Sequence, residues 1–353
     1  MPRQPSTGFL AAATRLSAIT LSLAASMSVL AANVVGGSGQ FTTIQSAINA
    51  LPASGGEVDV MPGSYHEQVI ISKPNVRLIG MGQIAASTKL WNDRWAQMLG
   101  SNGQQVGDQG ASTLIVTRAA HDFVMKNMDV ENTYTQEGHT QTQAPAIFVQ
   151  ADRAAILNSR LIGRQDTAYF GSGGCTSTYC IASRQYVYNT HIEGTVDFLF
   201  GDGATVFDNC ILQIDRNGSI TGEATIAAQN RLYNNYLSGY VIWDSQIKSN
   251  PATGMTNAYL GRPWSSLSHV VYINTNMRSP INAAGWIEMV PSGPVQLPTS
   301  YFGEYGSTGT GAQGYLQHTR ESAAVYLGSG QVQQYAPNTY LAGSDGWRPT
   351  SVK

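Results

Sequence analysis

Between Glu57 and Met289 the apolar positions come in short runs, bounded by Gly, Pro, Asn or Asp, with little helical periodicity. Glu57-Val58-Asp59-Val60-Met61 and Val69-Ile70-Ile71 read as short strands, broken at Pro62-Gly63 and Pro74-Asn75. One earlier stretch differs. From Thr42 to Leu51 the apolar residues Ile44, Ala47, Ile48 and Leu51 fall at helical spacing. Thr42 or Thr43 is suited to cap that helix, and Pro52 stops it. Strand, turn and strand then follow without another clear helix.

A repeat lies inside the strand region. Its frame is an apolar residue, any residue, Asn or Asp, two further residues, and a second apolar residue. It fits Met125/Asn127/Val130, Ile156/Asn158/Leu161, Val187/Asn189/Ile192, Phe207/Asn209/Leu212, Ile242/Asp244/Ile247 and Tyr272/Asn274/Met277. The polar anchors are 31, 31, 20, 35 and 30 residues apart. Coils of unequal length around a constant short core predict a parallel β-helix, in which loops of any size project between strands. A β-sandwich also has short strands and many turns, but has no reason to repeat an Asn at one bend. The helix near Thr42 would cover the N-terminal end of such a solenoid. Beyond Met289, Pro291, Pro294, Pro298 and the stretch from Gly303 to Gly314 predict loops packed on the solenoid, with one short helix from Thr319 to Tyr326. No linker or second domain is visible, so residues 33–353 read as a single domain.

The N-terminus reads as an address. Arg3 and Arg15 precede an apolar, Ala- and Ser-rich run from Leu16 that ends near Leu30-Ala31-Ala32, and no acidic residue occurs before Glu57. These features describe a signal peptide over residues 1–32, with a secreted product, extracellular or periplasmic, and no membrane attachment after cleavage. Apolar content of 42% and charged content of only 12% suit an extensive core. A net charge of -2 lacks the basic field that nucleic acid requires, which excludes that class of partner. Cys175 and Cys180, five apart in a Gly-rich polar loop, suit a local disulfide in an oxidising compartment; Cys210 falls in an apolar pattern and reads as a buried thiol. Asn217-Gly218-Ser219 is a glycosylation sequon.

Candidate chemistry concentrates in two stretches. Gly163-Arg164-Gln165-Asp166-Thr167-Ala168-Tyr169-Phe170 and Gly194-Thr195-Val196-Asp197-Phe198-Leu199-Phe200-Gly201 each set an aspartate among apolar and aromatic residues of strand-like composition. A carboxylate so placed loses hydration unless something pairs with it. Tyr259-Leu260-Gly261-Arg262-Pro263-Trp264 supplies a cation. Two carboxylates, an arginine and free amide donors are enough for a hydrolase site without metal or cofactor. No Gly-x-Ser-x-Gly elbow is present: Gly100-Ser101-Asn102-Gly103 and Gly171-Ser172-Gly173-Gly174 both miss it. No Asp/Glu cluster of the kind that holds Ca²⁺ in a lyase accompanies the two aspartates.

Gly-Arg-Gln-Asp-Thr, Gly-Thr-Val-Asp-Phe-Leu-Phe-Gly and Leu-Gly-Arg-Pro-Trp, in this order and after an opening Gly36-Gly37-Ser38-Gly39-Gln40-Phe41-Thr42-Thr43-Ile44-Gln45, resemble the motifs of pectin methylesterases. The resemblance runs from about Val34 to about Gly314. It implies a right-handed β-helix and hydrolysis of methyl esters of galacturonate in homogalacturonan, releasing methanol, by a secreted monomer. It implies Asp197 as nucleophile, Asp166 as general acid and then base, Gln165 and Gln143 as oxyanion donors, and Arg262 as the residue holding the nucleophile. Trp264 would pack against sugar, with Phe200 and Tyr169 as further candidates for the substrate face. Pro145 departs from the Ala-Val-Ala that usually follows the first glutamine, which leaves Gln141 as the alternative to Gln143. A non-catalytic pectin-binding solenoid, a pectate lyase and a β-helical thioesterase are the rival functions.

Overall fold

The computed structural model describes residues 1, 32–134, 139–172, 174–181, 183–215, 224–249, 257–290 and 292–353. Residues 2–31 of the expected leader and the sequon at Asn217 lie outside the described residues. Residues 32–353 form one compact unit.

Among the described residues the strands form three sheets of eleven, seven and eight members, and in each sheet a strand pairs in parallel with one from the preceding coil. This is a parallel β-helix. The repeat frame maps onto it position by position. Met125, Ile156, Val187, Phe207, Ile242 and Tyr272 are register partners along the eleven-stranded sheet. Val130, Leu161, Ile192, Leu212, Ile247 and Met277 do the same along the eight-stranded sheet. All twelve are buried in one apolar core. Like side chains therefore stack on like, and removing their surface from water stabilises every coil against its neighbours.

The polar anchor of the frame marks the bend between these two sheets. Asn127, Asn158, Asn189, Asn209, Asp244 and Asn274 each follow a strand of the eleven-stranded sheet immediately and have φ of 57°, 50°, 48°, 54°, 46° and 50°. Asn and Asp tolerate this left-handed conformation better than other residues with a β-carbon. Part of the row is also a hydrogen-bonded ladder: Asn189 Nδ2 donates to Asn158 Oδ1 at 2.8 Å and Asn274 Nδ2 to Asp244 Oδ1 at 2.9 Å.

Helix Ile44–Ala50 buries Ile44, Ala47 and Ile48 in the core, and Thr43 caps it through its side chain, which accepts from Ser46 N–H. At the other end the expectation of loops with one short helix is corrected in that two strands are present. Tyr301–Tyr305 and Ala324–Tyr326 extend the eleven-stranded sheet, in parallel, beyond His269–Ile273. The expected helix from Thr319 to Tyr326 is thus in part a strand, because an open sheet edge offers Ala324, Val325 and Tyr326 backbone partners that outweigh weak helical spacing. The described helices nearby are Gln313–Leu316, Ser329–Val332 and Pro337–Tyr340. This C-terminal segment is tied down by ions: Arg184 Nη1 and Nη2 donate to Asp345 at 2.6 and 2.9 Å, while Nε and Nη2 of Arg184 hold Asp152 at 2.9 and 2.7 Å.

Candidate active site

Both aspartates lie at the bend that leads into the seven-stranded sheet, two residues before strands Ala168–Phe170 and Leu199–Gly201. The flanking residues have strand-like composition, but Asp166 and Asp197 themselves sit at turns, with φ of 59° and 51°, the left-handed region that Asp tolerates. Asp166 N–H donates to Val196 C=O at 3.0 Å and Asp197 N–H to Thr225 C=O at 2.8 Å, so the bends stack coil on coil. Ala168 and Leu199 are register partners. The two carboxyl-bearing bends are therefore one coil apart, about 4.8 Å in backbone spacing.

Tyr169, Phe200, Ala228 and Arg262 form one lateral row across this sheet. Arg262 reaches across the small Ala228 to the bend before Phe200. There its Nε donates to Asp197 Oδ1 at 2.8 Å and its Nη2 to Oδ2 at 2.6 Å, a bidentate ion pair. Nη1 donates to the Met289 carbonyl at 3.1 Å, which fixes the guanidinium plane. Thr225 Oγ1 donates to Asp197 Oδ1 at 2.7 Å. Asp197 thus carries the hydrogen bonds and countercharge of an ionised carboxylate.

Asp166 has the opposite surroundings. It is buried, and no hydrogen bond among the described residues holds its carboxyl. Burial foremost, then the negative charges of Asp197 and Asp108, push its pKa well above the ordinary 3.8, against a smaller opposing effect of Arg262. One carboxyl is set up to be charged and its neighbour to keep a proton.

Asp166 and Asp197 open on a cleft of about 260 Å³ lined also by Asp108, Gln143, Gln165, Phe200, Ala228, Arg262, Trp264 and Met289. Gln143 and Gln165 are backbone bridge partners on adjacent coils. The amide oxygen of Gln143 accepts from Gln97 Nε2 at 2.8 Å and from Thr142 Oγ1 at 3.1 Å, leaving its N–H groups for the cleft. The alternative, Gln141, does not line the cleft, and its amide donates to Thr195 Oγ1 at 3.2 Å. Trp264 is 41% exposed at the rim, with Phe200, 2% exposed, 6.1 Å from it between ring centres. Tyr169 stacks on Phe148 and meets Phe200 edge-on, with its hydroxyl on Asp202 Oδ1 at 3.4 Å; it does not line the cleft.

Cys175 and Cys180 are joined as a disulfide. Cys210 is a buried free thiol, pushed up to about 12 by burial. The sequence did not single out Asp108, Thr225, Ala228 or Met289. Thr225 is a hydroxyl among alanines and an isoleucine in strand Ala224–Gln229; nothing in the sequence marks the other three.

A model of the pectinesterase family matches residues 29–344. The chain belongs to the pectinesterase family. It is 31% identical over 324 residues to a probable pectinesterase/pectinesterase inhibitor of Arabidopsis thaliana, covering 89% of this chain and 52% of that relative. The chain thus spans about half of that relative's length. It is 29% identical to a pectinesterase of Daucus carota, covering 89% of this chain and 93% of the carrot protein. Among solved structures, the pectin methylesterase from carrot superposes with a TM-score of 0.75 at 28% identity, covering 92% of this chain and 98% of that one. The pectin methylesterase PemA from Erwinia chrysanthemi gives 0.74 at 26%, covering 90% and 98%. A pectin methylesterase solved in complex with a hexasaccharide gives 0.74 at 26%, covering 90% and 97%.

Proposed function

We propose that this pectinesterase hydrolyses methyl esters of galacturonate units in pectin, giving methanol and a free carboxylate, with Asp197 as nucleophile and Asp166 as proton carrier. The observation that carries the reading is the pair of aspartates on consecutive bends of one cleft, one ion-paired to Arg262 and the other buried beside it without a cation of its own.

An oxygen of Asp197 attacks the ester carbonyl carbon, and the carbonyl oxygen becomes an oxyanion that accepts N–H groups from Gln143 and Gln165. The intermediate collapses with cleavage of the bond to the methoxy oxygen, which takes the proton of Asp166 and leaves as methanol. The sugar acyl group is then held on Asp197 as an anhydride. Asp166, now ionised, takes a proton from water as its oxygen attacks the acyl carbon. Asp197 departs as a carboxylate, and both groups return to their starting protonation states. Arg262 stabilises Asp197 at the start and end of the cycle. Trp264 supplies an apolar face to a sugar ring at the rim, with Phe200 beneath it and Tyr169 buttressing Phe200.

Residues 33–353 act on this reading as a single catalytic domain, monomeric and secreted after removal of residues 1–32. None of the described helices is long and apolar enough to cross a membrane. The test is to incubate the purified chain with methylated pectin and measure methanol, free carboxylate and unsaturated sugar ends. Equal amounts of methanol and carboxylate without unsaturated ends are expected; unsaturated ends would point to a lyase, and neither product to a binding protein.

A further inference from the structure

The catalytic cleft holds a third carboxylate that the reaction above does not use. Asp108 lines it together with Asp166, Asp197 and Arg262. It stands in the first turn of the short helix Gly107–Ala111, and its segment is firmly pinned. Gly107 N–H donates to Ala96 C=O at 2.9 Å, and Ser112 Oγ donates to the Asp108 carbonyl at 2.7 Å. Arg94 Nε donates to Gly110 C=O at 2.8 Å. The side chain is half-buried, and among the described residues no cation pairs with it; burial raises its pKa above the ordinary carboxylate value. Its negative charge contributes to the raised pKa of Asp166, which lines the same cleft. Arg262, the one arginine lining the cleft among the described residues, is engaged by Asp197. Three carboxyl groups and one committed cation make the cleft acidic on balance.

Resting on the esterase reading, we propose that Asp108 is a specificity-determining residue. Its carboxylate turns away sugars that carry a free carboxylate and directs the enzyme to stretches whose neighbouring galacturonates are still methylated. A methyl ester is neutral and is indifferent to Asp108, whereas a de-esterified neighbour brings a second negative charge into a partly dehydrated cleft. Each product carboxylate is repelled from the site that made it, so the enzyme scatters its de-esterified positions along the polymer in place of working through a growing de-esterified block.

The test measures methanol release from two hexagalacturonates, one fully methylated and one half de-esterified, by the wild type, Asp108→Asn and Asp108→Glu. The readout is the ratio of kcat/KM for the two substrates, in which any change in the acid strength of Asp166 cancels. The wild type is expected to favour the fully methylated substrate. Asp108→Asn shrinks that preference about tenfold, the scale of one like-charge contact, through a lower KM for the half de-esterified substrate. Asp108→Glu retains it, and added salt compresses it in the wild type but not in Asp108→Asn. A ratio unchanged in Asp108→Asn, or lost equally in Asp108→Glu, overturns the proposal while leaving the esterase reading intact. No methanol from either substrate overturns both.

Discussion

The chemistry of this cleft depends on two identical side chains being treated differently. Asp197 gains Arg262 and Thr225; Asp166 gains burial and two like charges. Turnover is therefore expected to fall at high pH as Asp166 loses the proton that its burial retains. Asp166→Asn preserves shape but has no acidic proton to transfer, and is expected to slow turnover by about 10² to 10⁴. The same change has a stability effect whose sign follows from linkage. The folded pKa of Asp166 lies above the ordinary 3.8, so the folded state binds the proton more tightly. Stability then declines as pH rises from about 3.8 through the raised value. Asp166→Asn removes that penalty. Thermal melts should find the variant more stable than the wild type at neutral pH, the difference closing as the pH falls toward 3.8. An equal offset at all pH values would show that burial of the charge is not its cause. The roles of these residues were legible in the sequence only through motif resemblance. Their conformation was not, because a left-handed aspartate between two strands has the same neighbours in sequence as one inside a strand.

The elements of a solenoid turn distant residues into neighbours, and that governs what a sequence discloses. The Asn frame was legible because the same bend recurs with its flanking apolar residues, and each coil repeats one local problem. Thr225 was not, because it meets Asp197 from 28 residues away, in the next coil, and coil lengths vary. Ala228 was not, because its importance lies in being small where Arg262 must pass between strand Ala258–Pro263 and the Asp197 bend. Ala228→Leu is expected to push the guanidinium off Asp197 and lower kcat/KM by about 10²-fold, the usual cost of an ångström of misplacement at a reacting group. Circular dichroism should still report the β-helix, since the added atoms enter the cleft and not the core. Activity retained within a factor of two would mean that Arg262 reaches Asp197 by another path.

At the scale of the whole molecule, the C-terminal segment is the part that the sequence described least well. Its strands follow the preceding coil at ordinary spacing, but its ionic ties join residues more than 150 positions apart, as Arg184 and Asp345 are. Such pairs leave no local pattern to read. Arg184 and Arg153 hold the Asp345 carboxyl below the usual carboxylate range, chiefly through the hydrogen bonds from Arg184. That contribution is present above the unfolded value near 3.8 and is lost as pH falls through the depressed folded value. Asp345→Ala should lower Tm by a few degrees at neutral pH, a modest effect because the carboxylate is half-exposed and screened. The gap should narrow in acid. A variant that melts like the wild type at neutral pH would show that apolar packing alone holds the segment.

The claim on which the rest depends is that Asp197 forms the bond to the substrate. It is tested most directly by following methanol release from methylated pectin with the purified wild type and Asp197→Ala side by side, each checked for folding. The wild type should release methanol in step with new carboxylate, and Asp197→Ala should lose at least about 10³-fold in turnover, as expected when a nucleophile is removed and only oxyanion stabilisation and binding remain. Methanol release by Asp197→Ala near the wild-type rate would contradict the paired-aspartate mechanism.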